Sequence, residues 1–149
     1  MDIAQRAEKL NIPGYAMMFY QQGGEPLIVV DGVIERGGED INPDTVFRLA
    51  SVSKTFTGVL MAKLVAQQQL EWKTQLVQLV EQPTFKSEYT NQVYLEHLIG
   101  QSSGYIPNAY DNLIEADYPV KRVLKQLAGL EPLCQPGQCY TYQNALFGT

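Results

Sequence analysis

A serine and a lysine three residues apart are the most constraining feature of this sequence. They lie in Ser51-Val52-Ser53-Lys54, at the start of a strongly helical run. Because a helix turns about 100° per residue, the side chains of Ser51 and Lys54 lie about 60° apart on one face and can meet. Ser53 and Lys54 point about 100° apart. The spacing therefore favours Ser51 over Ser53 as the hydroxyl that the lysine contacts.

The same pair predicts nucleophilic chemistry. A serine hydroxyl is a poor nucleophile until a base removes its proton, and a lysine amine accepts that proton only when it is neutral. Ser51 is also expected near the helix N-terminus, where free backbone N–H groups stabilise developing negative charge. S-x-x-K alone is a weak signal, because chance produces this spacing often, so other parts of the chain must support it.

Composition limits the class of protein. The 149 residues are 45% hydrophobic, which is enough to bury a core, and the length alone suggests one domain. The net charge is −5 and the 11 Lys and Arg residues are dispersed, so no nucleic-acid partner is expected. No stretch is long and apolar enough for a membrane span, and residues 1–10 lack the pattern of a signal peptide.

Cys134 and Cys139 bracket Gln-Pro-Gly-Gln, a turn sequence that can bring their sulfurs together. A disulfide there would suit a periplasmic or secreted protein, and two free thiols in a cytosolic protein are the alternative. Two thiols and the single, distant His97 do not form a four-ligand zinc set. We therefore expect a possible disulfide, no metal, no cofactor, and a periplasmic or secreted location.

The pattern of apolar and turn-forming residues predicts two regions, residues 1–50 and 51–149. The first contains a helix over residues 2–10, ended by Asn-Ile-Pro-Gly, and two hairpin strands over residues 15–21 and 26–33. The second is mostly helical, with helices over residues 51–70, 74–80, 92–99 and 119–130 and no strand between residues 55 and 140. In the first of these helices a buried apolar stripe is expected at Val52, Phe56, Val59, Leu60 and Leu64.

A second motif that supports a Ser-Lys site is a tyrosine and an asparagine separated by one residue. Y-x-N occurs at Tyr89, Tyr110 and Tyr142. Only Tyr142-Gln143-Asn144 follows a Pro-Gly turn and precedes an apolar run, Ala145-Leu146-Phe147, which indicates that a helix begins at this motif. The other two matches are interpreted as accidental surface or packing residues.

With these motifs in view, residues 51–60 resemble the nucleophile helix of class C β-lactamases and their penicillin-recognising serine hydrolase relatives. The resemblance extends to Ile12-Pro13-Gly14, to residues 97–104, and to Pro136-Gly137 before Tyr142-Gln143-Asn144. It covers nearly the whole chain in the family's order. It implies an α+β fold of the β-lactamase/transpeptidase-like type, of which this chain is the N-terminal portion: helix and hairpin of the α/β region, then a mostly helical region.

The resemblance also implies roles for individual residues. Ser51 would be the acylated nucleophile, Lys54 its proton partner, Tyr142 the catalytic phenol or phenolate, and Asn144 a ligand of the substrate amide. Whether Lys54 or Tyr142 is the general base stays open. Asn108 is the amide nearest to the position where class C enzymes carry a substrate-facing glutamine, and it is the candidate for that contact.

The resemblance departs from the family at two places. No histidine stands directly before Ser102-Ser103-Gly104, and His97 is interpreted as structural. The family's third motif, Lys-Thr-Gly on a strand, is expected well over a hundred residues after Tyr142, and it does not occur in these 149 residues. We therefore expect the isolated chain to be inactive and to need a complementing C-terminal polypeptide or a swapped copy.

The function implied by the resemblance is serine hydrolysis through an acyl-enzyme. A β-lactam is the first choice of substrate, and the alternatives are D-alanyl-D-alanine carboxypeptidase or esterase activity on a D-Ala peptide-like or ester substrate. A non-catalytic β-lactam-binding sensor, or a truncated module, belongs to a different functional class and is supported by the absence of the third motif.

Overall fold

A computed structural model describes residues 2–80 and 88–148 of the chain. The chain divides into two compact units, Met1–Leu49 and Ala50–Thr149. The first unit is α+β and the described part of the second is helical.

The first unit contains one helix and one hairpin. Helix α1 (Ile3–Lys9) begins with a reciprocal cap, in which the Asp2 side chain accepts from the Gln5 backbone and the Gln5 side chain accepts from the Asp2 backbone. Strands β1 (Gly14–Phe19) and β2 (Leu27–Gly32) pair antiparallel, with Gly14 opposite Gly32. The predicted helix and hairpin are thereby confirmed.

Glycine is required at the open end of the hairpin, opposite to its turn. Gly32 has φ of +83°, and a Cβ there would overlap the backbone of Pro13 and Gly14. At the same end of the sheet, the Val33 amide donates to the Pro13 carbonyl at 2.9 Å. The Ile-Pro-Gly sequence thus ends the turn after α1 and leads directly into the hairpin.

Met18 and Phe19 on β1 and Leu27 and Ile28 on β2 are exposed.

The second unit is a chain of short helices. A 3₁₀ turn (Ala50–Val52) leads into α2 (Ser53–Ala66), the longest helix, and a second 3₁₀ turn covers Thr90–Gln92. The remaining helices are α3 (Leu76–Leu79), α4 (Leu95–Ile99), α5 (Asp111–Glu115), α6 (Val120–Leu127) and α7 (Asn144–Phe147). Among the described residues between 55 and 140 there is no strand, as the sequence predicted.

The helix boundaries correct the sequence prediction in three places. Ser51 and Val52 lie in the 3₁₀ turn rather than in α2, and α2 ends at Ala66 because Gln68 takes a left-handed φ of +57°. The predicted helices over residues 74–80 and 92–99 shrink to α3 and α4. Helix α5 was not predicted, because only five residues are helical and no apolar period marks them.

The core of the second unit forms around α6. Val123, Leu124 and Leu127 are buried there against side chains from the neighbouring helices and loops. The other large members of this cluster are Leu76, Val93, Leu98, Tyr105 and Leu146. Because α7 contributes Leu146 to the same core, the residue that begins α7, Asn144, is held by buried packing.

The apolar stripe predicted to be buried on α2 is largely exposed, so that prediction was wrong. Val52, Phe56, Val59 and Leu60 are 50–71% exposed. The cause is that α2 is apolar around most of its circumference, and within this unit a different face packs. That face carries Gly58, where a Cβ would lie 3.7 Å from the Ile99 side chain.

No helix in residues 2–80 and 88–148 is long and apolar enough to cross a membrane.

Removing a core side chain from α6 should destabilise the second unit. Leu127 is fully buried, so Leu127→Ala should lower the free energy of unfolding by about 2–5 kcal/mol. Leu133 is 65% exposed, and the control Leu133→Ala should change it by less than about 1 kcal/mol. Urea unfolding followed by circular dichroism measures both. Equal losses in the two variants would contradict the placement of this core.

Candidate active site

The turn before α2 presents Ser51 to Lys54. The Lys54 ammonium donates to Ser51 Oγ at 3.4 Å, while the Ser53 hydroxyl donates to the Ala50 carbonyl at 2.6 Å. The Ser53 hydroxyl is therefore hydrogen-bonded to the backbone. Ala50 itself has φ of +45°, a strained conformation directly before the serine. The structure brings Ser51, and not Ser53, to the lysine.

Tyr142 completes a three-residue cluster with Ser51 and Lys54. Its hydroxyl lies 2.6 Å from Ser51 Oγ, and these two hydroxyls are hydrogen-bonded. The Lys54 ammonium lies 4.9 Å from the centre of the Tyr142 ring. Ser51 is exposed and Tyr142 is half-buried, so the cluster is open to a small molecule from solvent.

The cluster changes the acidity of Tyr142. Hydrogen bonding by Lys54 and by Ser51, together with the positive charge of Lys54, lowers the pKa of the Tyr142 phenol; desolvation and the Asp111 carboxylate oppose this change. The net direction is downward. A phenol with a lowered pKa forms a phenolate at lower pH, and a phenolate hydrogen-bonded to a serine is a competent proton acceptor.

Asn144 connects Lys54 to a residue that the sequence analysis missed. Its Oδ1 accepts from Lys54 Nζ at 2.7 Å, and its Nδ2 donates to Asp111 Oδ2 at 2.8 Å. Asp111 belongs to the second Y-x-N match, which was interpreted as accidental. The only signal for it was an acidic residue at the start of an unpredicted helix, which is too common a pattern to single it out.

Two buried glutamines hold the Tyr142 segment in place, and both were missed. The side-chain Oε1 of Gln101 accepts from the Gln143 amide at 2.7 Å, and its backbone carbonyl accepts from the Thr141 amide at 2.7 Å. Gln143 in turn donates from Nε2 to the Ile106 carbonyl and caps α7 by accepting from the Ala145 amide. These bonds fix the backbone on both sides of Tyr142.

Asn108, a predicted substrate ligand, lies beside this segment. Its backbone amide donates to the Tyr142 carbonyl at 2.8 Å, and its side chain is exposed. Gln101, Asn108 and Tyr110 all have positive φ, at 53°, 55° and 64°. Left-handed backbone at three non-glycine residues within ten positions is costly, and strain of this kind concentrates at functional sites.

Cys134 and Cys139 are joined in a disulfide. The loop that they close lies on the turn that precedes Tyr105, since the Leu133 amide donates to the Gly104 carbonyl and the Gly137 amide donates to the Ser102 carbonyl, both at 2.8 Å. The same turn binds the Tyr142 segment, because the Gly104 amide donates to Thr141 Oγ1 at 3.0 Å. The disulfide loop thus supports the backbone next to the site.

His97 has no contact with the cluster among the bonds that the structure shows. Its Nδ1 accepts from the Tyr94 amide at 3.2 Å in the cap of α4, and burial lowers the pKa of the imidazole. In the part of the chain that the structure describes, no three His, Cys, Asp or Glu side chains are grouped to hold a metal ion.

The fold is that of β-lactamase-like serine hydrolases. D-amino acid amidase from Ochrobactrum anthropi SV3, solved with L-phenylalanine, superposes with a TM-score of 0.77 at 14% identity, covering 95% of this chain and 39% of that one. The same amidase solved with L-phenylalanine amide gives 0.72 at 15% identity, covering 95% and 41%. At this identity the likeness establishes the α+β fold, and this chain covers less than half of the neighbour's length.

Sequence comparison identifies the family. The Beta-lactamase family model matches residues 2–149, and the chain belongs to that family. A β-lactamase of Escherichia coli (strain K12) is 26% identical over 142 residues, which is 95% of this chain and 36% of the relative. The chain therefore spans little more than a third of the curated relative that it matches.

The lowered pKa of Tyr142 gives a spectroscopic prediction. Tyr142 should ionise below the ordinary tyrosine value of about 10, so Tyr142→Phe should remove a step below that value from the ultraviolet titration of phenolate. Lys54→Met should move that step to higher pH, because the ammonium favours the phenolate. Lys63→Met, on the exposed surface of the same helix, should leave it unchanged. A tyrosine step that Lys54→Met leaves at its original pH would contradict the geometry.

Proposed function

We propose that Ser51 is the nucleophile of a serine hydrolase that works through an acyl-enzyme, and that its substrate is a β-lactam. The observation that carries this proposal is the 2.6 Å hydrogen bond between Tyr142 and Ser51 beside the Lys54 ammonium. A nucleophile within hydrogen-bond reach of a base, with that base adjusted by a third group, is the arrangement that acyl transfer requires. Family membership and the β-lactamase relative favour a β-lactam as the acyl donor.

Tyr142 is the better placed of the two candidate bases. Its hydroxyl is 2.6 Å from Ser51 Oγ, whereas Lys54 Nζ is at 3.4 Å and directs its short bond to Asn144. In this proposal the Tyr142 phenolate accepts the Ser51 proton as Oγ attacks the lactam carbonyl carbon. The lactam C–N bond then breaks, and Tyr142 returns the proton to the departing nitrogen. Water hydrolyses the resulting ester and regenerates Ser51.

The residues around the pair have separate tasks. Lys54 stabilises the phenolate by charge. Ser51 lies directly before α2, whose N-cap residue Val52 provides no side-chain cap, so the first amides of α2 lie close to the place where negative charge develops. Asn144 and Asn108 are proposed to bind the substrate amide, Asn108 with its exposed side chain.

Turnover is proposed to need polypeptide beyond these 149 residues, or a swapped copy of them. Val52, Phe56 and Val59 follow the serine in sequence and are exposed, and neighbouring exposed apolar side chains of this kind mark contact surfaces. The chain spans 36% of its β-lactamase relative, so that relative has much further sequence to supply such cover. A periplasmic or secreted location is proposed on the strength of the disulfide.

Mass spectrometry of the intact protein tests the nucleophile. Incubation with a penicillin should add one penicillin mass to Ser51, slowly and without turnover of a chromogenic cephalosporin by the isolated chain. Ser51→Ala should form no adduct, and Tyr142→Phe should slow its formation by about 10²- to 10⁴-fold. Ser53→Ala is the matched control and should acylate at the rate of the unmodified protein.

The outcomes separate the alternatives. Turnover by the isolated chain would contradict the need for further polypeptide. A stable adduct that persists after a complementing polypeptide is supplied would support a D,D-peptidase or a β-lactam-binding sensor over a β-lactamase. If no adduct forms with a penicillin while a simple ester is hydrolysed in a Ser51-dependent way, esterase activity replaces the proposal.

A further inference from the structure

Asp111 is a carboxylate whose position stability alone does not explain. Its Oδ2 accepts from Asn144 Nδ2 at 2.8 Å. Its Oδ1 is buried and has no hydrogen-bond partner among the residues that the structure describes. A buried, unpartnered carboxylate oxygen costs free energy, and the residue before it, Tyr110, adds backbone strain with φ of +64°. Two unfavourable features at adjacent residues indicate a functional role.

The amide of Asn144 lies between two groups of opposite hydrogen-bonding character. Lys54 offers only donors while it is charged, and the Asp111 carboxylate offers only acceptors. An asparagine side chain has an oxygen on one side and an NH₂ group on the other. With Lys54 and Asp111 on opposite sides, only one of its two orientations makes both hydrogen bonds, and that orientation is the one seen.

Asp111 sets the orientation of the Asn144 amide, because a carboxylate accepts hydrogen bonds and does not donate them. With Oδ1 of Asn144 held toward the lysine, one N–H of Lys54 is directed at Asn144. The same ammonium donates to Ser51 Oγ at 3.4 Å and lies 4.9 Å from the centre of the Tyr142 ring.

We propose that Asp111 is a positioning residue of this site, which orients the Asn144 amide and through it the Lys54 amine that serves Ser51 and Tyr142. The inference rests on the proposed function and adds to it a residue that acts on Lys54 through Asn144. The same turn also holds Tyr142 directly, because the Asn108 amide bonds the Tyr142 carbonyl and the Asp111 amide bonds the Asn108 carbonyl at 3.1 Å. Residues 108–111 therefore fix both the tyrosine and the lysine.

Three variants separate this role from a structural one. Asp111→Asn keeps a carbonyl that can accept from Asn144 and should acylate within about 3-fold of the unmodified protein. Asp111→Leu has a similar shape and no acceptor, and should acylate about 10- to 100-fold more slowly. Glu115→Leu, an exposed carboxylate on the same helix, is the matched control and should have no effect.

A double-mutant cycle supplies the decisive measurement. If Asp111 acts through Asn144, then Asp111→Leu should cause no further loss of acylation rate in an Asn144→Ala background. Equal losses in both backgrounds, or a loss in Asp111→Asn as large as in Asp111→Leu, would overturn the proposal. Thermal unfolding of each variant identifies any that has lost its fold.

Nuclear magnetic resonance of the side-chain amide of Asn144 tests the contact without substrate. The Nδ2 protons should shift in Asp111→Leu and stay close to their original position in Asp111→Asn and Glu115→Leu. Unchanged signals in Asp111→Leu would overturn the orienting role. If these signals behave as expected and Ser51 nevertheless forms no adduct, the proposed function fails while the positioning of Asn144 stands.

Discussion

The hydrogen bonds of the Lys54 ammonium hold the site together. The ammonium bonds Ser51 three residues earlier in the chain and Asn144 ninety residues later, so one cation joins the start of α2 to the start of α7. Ordering a long side chain between such distant segments costs conformational entropy, which the packing of both helix ends must offset. The buried side chains of α7 and the 3₁₀ turn before α2 provide that restraint.

Other parts of the second unit hold Tyr142 beside this cation. The segment over residues 141–143 lies outside the helices and strands, and Gln101, Gly104 and Ile106 hold it in place. Buried side-chain amides can satisfy backbone groups on irregular chain, which neither an apolar residue nor a charged one does as well. Strained backbone at Gln101 and Asn108 is the cost of this arrangement, and the disulfide loop packs against the same turn.

The sequence could predict those parts of the molecule that rest on local rules. The capped helix α1, the hairpin and the apolar face of α6 follow from side chains close together in sequence, and Ser51 and Lys54 meet because of their spacing. Gln101 and Gln143 could not be predicted, because their bonds join residues 42 positions apart through irregular backbone. Asp111 was hidden for the same reason. The prediction of a buried stripe on α2 was wrong because periodicity shows that a helix face is apolar. It does not show whether other parts of the chain cover that face.

The charges on either side of Asn144 explain why a neutral amide suits this position. Lys54 lowers the pKa of Tyr142 and Asp111 raises it, so their relative distances from the phenol set how much phenolate forms. Direct contact between Lys54 and Asp111 would pair the ammonium with the carboxylate and would weaken its lowering of the Tyr142 pKa. The Asn144 amide lies between the two charges and keeps them apart. Its hydrogen bond to Asp111 fixes its orientation, and its hydrogen bond from Lys54 in turn orients the lysine. A carboxylate can therefore order this lysine without taking its charge away from the tyrosine.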